Sequence, residues 1–220
     1  VGASSRRAFL AGAAALALRP WASRGAQGSQ GSALAYVGTY TGNGEGIYLF
    51  SLNSGTGALT QIKVAAAVPS PSWLALHPNG NFLYAVNEIS NFTTSPPSGS
   101  VTAFTINRGT GDLTMLNVVS SRGAGPAHLS VDPLGKFVFV ANYGGGSFAV
   151  LPIHPDGSLG DATFVQVDED AVGPVHATNA PPGSFAVSGH DAPHAHMIQA
   201  DPAGEYVFGA DLGQDRIYGW

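Results

Sequence analysis

Three of the seven histidines in this 220-residue chain sit where histidines can act together. His128 follows Gly125-Pro126-Ala127, and His194 and His196 form a His-x-His pair in Ala192-Pro193-His194-Ala195-His196. Imidazole titrates near neutral pH, so such residues can take a proton from water or hold one for a leaving group. Asn142 offers an amide N–H that could steady a developing negative charge. Glu88 and Asp211 offer carboxylates, and Arg122 and Arg216 are cations able to hold an anionic group. Residues two apart on an extended segment face the same way, so the spacing predicts that His194 and His196 point together. His194, His196 and Asp211 are also ligand types that suit zinc or another transition metal.

For these positions to meet, a scaffold must return the chain repeatedly to one place, and the sequence contains such a repeat. Ser72–Glu88, Gly125–Gly146 and Met197–Asp211 align on a Pro-x-Gly turn, with Pro78, Pro133 and Pro202 superposed. Proline presets φ for the turn and glycine takes the conformation that closes it. Nine residues after each proline stand Asn87, Asn142 and Asp211. In the middle copy, Leu129–Val131 and Phe137–Ala141 read as strands, with Phe137, Val138, Phe139 and Val140 buried between neighbouring units. Third strands follow at Ser100–Ile106 and Ser147–Ile153, and Gly-rich hairpins at Thr110–Thr114 and Pro155–Leu159 lead into fourth strands. An earlier, incomplete copy supplies Leu34–Tyr40 and Gly46–Leu52.

Four short strands per repeat, with prolines 55 and 69 residues apart, is the pattern of a β-propeller blade. The expected fold is therefore all-β, with about four blades over residues 34–220. Three candidate histidines just precede innermost strands, and Glu88, Asn142 and Asp211 end second strands, so all should lie at one mouth of the channel. His77 aligns with Asp132 and Asp201 ahead of the turn, which predicts a structural role. The chain stops inside the third strand of a blade, so the expectation is a partial propeller truncated at its C-terminus.

Residues 1–28 read differently. Arg6-Arg7 followed by Phe9-Leu10 and the apolar run Ala8–Leu18 has the n-region and h-region of an export signal of twin-arginine type. Eleven residues are too few to cross a hydrocarbon core of roughly 30 Å. Cleavage within Ala22–Gly28, a short linker at 29–33 and an exported protein with no stable membrane anchor are expected. Beyond residue 28 there remain five basic residues against fourteen acids, a surface unsuited to nucleic acid. The chain has no cysteine, which excludes disulfide and thiol chemistry.

With the repeats in place, the chain resembles the lactonase-family β-propellers, the group of the propeller-type 6-phosphogluconolactonases and carboxymuconate-lactonising enzymes. The resemblance is carried by Tyr36–Thr41, Gly125–Pro133, Val140–Ser147, Ala192–His196 and Ala210–Arg216. It implies a seven-bladed complete propeller and a cofactor-free, metal-free hydrolase that opens a sugar lactone or related cyclic ester. A noncatalytic ligand- or protein-binding propeller and a lactonising cycloisomerase are the alternatives. On this reading His196 or His128 is the general base, while Asn142 and His194 stabilise or orient the oxyanion. Glu88, Arg122, Asp211 and Arg216 would contact substrate. One departure stands out: many family members carry Arg-Gln a few residues before the His-x-His pair, and this chain has Gly189-His190. That removes a fixed cation from the place where a phosphate would bind. The insertion Val167–Asp191 is expected to form a mobile loop over the mouth.

Overall fold

The turns close as their residues dictate. Gly80, Gly135 and Gly204 all take left-handed φ, at 72°, 69° and 70°. Ahead of each proline an acceptor side chain gathers the turn's N–H groups. Asp132 accepts from Leu134, Lys136 and Phe137, and Asp201 from Ala203, Glu205 and Tyr206. His77 does the same through Nδ1, which accepts from the Asn79 N–H at 3.1 Å. Its Nε2 therefore carries the hydrogen and donates it to the Gly135 carbonyl at 3.0 Å, tying one turn to the next. The structural role expected of His77 is the one it has.

The computed structural model describes residues 16–18, 32–169, 172 and 189–220, and these contain strands and no helix. Blade 1 comprises β1 (Leu16–Leu18), β2 (Ser32–Val37), β3 (Ile47–Asn53) and β4 (Leu59–Ala66), in that spatial order. Blade 2 comprises β5 (Leu74–Leu76), β6 (Phe82–Asn87), β9 (Ser100–Ile106) and β10 (Leu113–Ser120). A short hairpin, β7 (Thr93–Thr94) and β8 (Pro97–Ser98), rises from its β6–β9 loop. Blade 3 runs β11 (Pro126–Val131), β12 (Phe137–Asn142), β13 (Ser147–Pro152) and β14 (Phe164–Val167). Blade 4 contributes β15 (Ala195–Ala200), β16 (Val207–Asp211) and β17 (Arg216–Gly219). All pairings within these sheets are antiparallel, and β5, β11 and β15 pack in series as the inner strands.

Side-chain alternation decides which blade meets which. On β6, Leu83 and Ala85 face blade 1 while Tyr84 and Val86 face blade 3. On β12, Val138 and Val140 face blade 2, and Phe139 and Ala141 face blade 4. Phe137 departs from the sequence expectation. It begins its strand beside the turn and stays 37% exposed. Tyr36 and Tyr84 each reach the next blade's hairpin, donating to the Gly111 and Gly157 carbonyls at 2.8 and 3.1 Å. Burial, with Asp112 nearby, pushes the Tyr36 hydroxyl up to about 12. The equivalent residue in blade 3 is Phe139, which has no hydroxyl to give. It lines an apolar cavity of about 200 Å³ between blades 3 and 4, with Phe148, Val150, Phe164, Ile198, Val207 and Trp220.

Two segments of the sequence reading fall mostly outside this description. Of the expected export signal at 1–28, only 16–18 is described, and there Leu16–Leu18 pairs antiparallel with Ala35–Val37 as the inner strand of blade 1. Of the expected loop over the mouth, 170–171 and 173–188 are outside the described residues.

Candidate functional site

The antiparallel register brings every candidate residue to one end of the blades. Pro126 pairs with Asn142, and Asn142 with Ser147, so the starts of β11 and β13 meet the end of β12. Ala195, Asp211 and Arg216 repeat this arrangement in blade 4, and Asn87 and Ser100 in blade 2. Within this rim the residues have distinct roles.

Asn87, Asn142 and Asp211 are buried fastenings, at 1%, 0% and 2% exposure. Asn87 Nδ2 donates to the Pro69 carbonyl at 2.8 Å, and Asn142 Nδ2 donates to the Ser121 carbonyl at 2.9 Å. Each amide thus holds the connector that arrives from the preceding blade. In blade 4 the polarity is reversed. Asp211 Oδ1 accepts the backbone N–H groups of His194 and Gln214, at 3.0 and 2.8 Å. A carboxylate belongs there because its partners are donors, as an amide belongs opposite a carbonyl. Oδ1 of Asn142 and Oδ2 of Asp211 are buried without a partner among the described residues.

His128 is 8% exposed and spans three blades. Its ring lies 4.5 Å, centroid to centroid, from Trp73 of blade 2, and its Nδ1 accepts the Ile198 N–H of blade 4 at 3.3 Å. Burial, with His196 nearby as a second cause, pushes its pKa down to about 4. A backbone N–H can only donate, so the neutral ring keeps its hydrogen on Nε2. At neutral pH His128 is a hydrogen-bond donor.

His194 and His196 do not point together as simple alternation predicted. The pairing of β15 with β16 shifts between Ala195 and Met197, which makes His196 the extra residue of a bulge. His194 is left buried and His196 exposed. Both still meet one ring. Tyr143 stacks on His194 at 4.2 Å and 9°, and meets His196 edge-on at 5.7 Å and 86°. His194 Nδ1 faces the Tyr143 carbonyl and Nε2 the Asp191 carboxylate, each at 3.0 Å. Burial disfavours its charged form, but these two acceptors and Asp211 outweigh it and raise the pKa.

The remaining candidates are spread along the rim. Glu88 lies at the junction of blades 1 and 2, where Oε2 accepts the Tyr40 hydroxyl at 2.8 Å. Arg122 is exposed in the connector between blades 2 and 3, with a left-handed φ of 64°. Arg216, also exposed, opens β17 opposite Asp211. His190, where relatives were expected to carry a cation, bonds Asp215 at 3.1 Å through Nε2. Among the described residues no group of three His, Cys, Asp or Glu side chains is placed to hold a metal ion. Trp73, Tyr143 and Asp191 are the contributors that residue-type reasoning missed. Trp73 occupies the same slot as His128, five residues ahead of the turn proline, and that coincidence was visible in the alignment.

The fold agrees with the comparison against protein families. Residues 34–220 match the model for "Lactonase, 7-bladed beta-propeller". The chain belongs to this lactonase family. A 6-phosphogluconolactonase of Bacillus subtilis is 36% identical over 186 residues, which cover 84% of this chain and 48% of that protein. The crystal structure of a putative 6-phosphogluconolactonase from Bacteroides fragilis matches with TM-score 0.70 and 34% identity, over 84% of this chain and 47% of that one. The periplasmic gluconolactonase PpgL of Pseudomonas aeruginosa matches with TM-score 0.69 and 30% identity, over 84% and 48%. This lactonase-family chain thus spans about half the length of the relatives it matches. Its eight candidate residues stand on blades 2, 3 and 4 and on the connectors between them.

Proposed function

We propose that this chain carries the reacting histidines of a lactone hydrolase, opening a sugar lactone or related cyclic ester without a cofactor. The observation that carries the reading is the unlike pair at the mouth: His128, neutral with one N–H to give, beside the exposed His196. His196 takes a proton from water as the oxygen attacks the lactone carbonyl carbon. His128 Nε2–H donates to the oxygen on which negative charge develops. When the ring C–O bond breaks, the proton held on His196 passes to the departing alkoxide, leaving the open hydroxy acid. Arg216 and Arg122 are the cations for the carboxylate of the opened product, and Glu88 accepts from substrate hydroxyls. Asn142 and Asp211 act from behind, as supports of the rim. Family membership and the named lactonase relatives support this reaction class. The Arg6-Arg7 motif and the periplasmic relative support export.

The test is a panel of aldonolactones offered to the complete gene product, with and without chelator. Turnover that chelation does not change is expected, and His196→Ala and His128→Ala should each lower it at least about a hundredfold. Wild-type rates in folded variants would remove these two residues from the mechanism. Binding of lactones with turnover of none would instead identify a noncatalytic binding propeller.

A further inference from the structure

We propose that Tyr143 is a positioning residue of this centre: its ring, stacked on His194 and edge-on to His196, fixes the bulged His196 at the mouth. The inference rests on the lactonase reading for its kinetic consequence, and on geometry alone for the contact itself. His194 makes an unusually complete set of bonds for a residue at a channel rim. Both ring nitrogens face groups that only accept, the Tyr143 carbonyl and the Asp191 carboxylate, each at 3.0 Å. The arrangement is fully satisfied only by a doubly protonated ring. The backbone of His194 is held as well, its N–H by Asp211 Oδ1 at 3.0 Å and its carbonyl by the Leu212 N–H at 2.9 Å. The residue is thus anchored in blade 4, and its ring lies parallel to Tyr143 of blade 3 at 4.2 Å.

A cation over an aromatic face is attracted by the ring quadrupole, so the protonated form of His194 makes the stack a bond between blades and not only a contact. Tyr143 is itself fixed, its N–H donating to the Gly125 carbonyl at 2.9 Å. Its ring edge then presents a rigid wall to His196 at 5.7 Å. His196 needs such a wall because it stands at a bulge, where regular strand pairing no longer sets side-chain direction. The charged and titratable groups facing His194 are Asp191 and Asp211, with the Tyr143 ring covering its face.

The experiment follows the histidine ring resonances of the full-length protein through a pH titration, alongside hydrolysis of glucono-δ-lactone. Tyr143→Phe keeps the ring face and should match the wild type in both. Tyr143→Ala should lower the titration midpoint of His194, and should lower kcat by about tenfold while KM changes little. A folded Tyr143→Ala protein with wild-type kcat and an unmoved His194 midpoint would overturn the proposal. So would Tyr143→Phe as damaging as Tyr143→Ala, since the hydroxyl would then be the active part. Should Tyr143→Ala fail to fold, Asp191→Asn is the second variant, its side chain being 82% exposed. It must lower the His194 midpoint if the two-acceptor arrangement is real, and an unmoved midpoint refutes it. If the wild type opens no lactone, the kinetic reading falls with the proposed function, while the titration still decides whether the stack exists.

Discussion

At His128, Nδ1 is occupied by a backbone N–H, and charging the ring means removing a cation from water. The folded value near 4 lies below the ordinary histidine value near 6.5, so the unfolded chain binds the proton first. Stability from this residue is therefore full above about pH 6.5 and is lost as pH falls toward 4. Chemical denaturation at pH 7 and 4.5 should show wild type losing about 2 kcal/mol more than His128→Asn on acidification. Equal losses would mean the imidazole is not buried neutral. His194 has the opposite sign. Its raised value contributes stability below the ordinary histidine range, and that stability fades as pH rises through the folded value. Sequence marked both histidines as chemically apt and could not separate them. The separation comes from Ile198, Tyr143 and Asp191, which lie 70, 51 and 3 residues from their partners. Local pattern carries no information about the first two.

The blade elements were the most legible part, for a physical reason. A Pro-x-Gly turn is encoded within a few residues, because proline fixes φ and glycine tolerates its reversal. Gly135 has a second duty that the sequence does not reveal. A Cβ there would lie 2.3 Å from Nε2 of His77 in the neighbouring blade. Gly135→Ala should cost about 1–3 kcal/mol by denaturation, and a cost near zero would mean the turn and His77 shift freely. The fastenings at the ends of the second strands make a sharper case. Asn142→Asp sets a carboxylate against the Ser121 carbonyl and should destabilise by about 1–3 kcal/mol at neutral pH, with partial recovery in acid. A neutral effect would show that the amide is not holding the connector. The bulge at His196 was not legible. It is a property of the β15–β16 register, which single-strand alternation cannot report.

Across the whole molecule the acids outnumber the bases, and the rim follows the same balance. Glu88, Asp191, Asp211 and Asp215 stand there with Arg122 and Arg216, while His190 and His194 are already matched to carboxylates. A dianionic phosphate approaching this rim meets repulsion that added salt screens over roughly 10 Å. On the proposed lactonase reading, the charges of these blades favour an uncharged aldonolactone over its 6-phosphorylated counterpart, and kcat/KM for the latter should rise with salt. Preference for the phosphorylated lactone at low salt would contradict this. The propeller itself was legible because its repeat is in the sequence, while the placing of charge around the mouth needed the register of three blades together. One recurring position brings those scales together. The slot five residues before each turn proline holds Trp73 in blade 2, His128 in blade 3 and Met197 in blade 4. The turn and the fastening lie elsewhere in the repeat, while Trp73 packs on the core between blades 2 and 3 and His128 accepts the Ile198 N–H of blade 4. The occupant of the slot in blades 2 and 3 therefore works at the seam between blades. Duplicated blades in this architecture form a row of sockets, and the same socket here holds an aromatic surface, a neutral hydrogen-bond donor and a half-exposed thioether in turn.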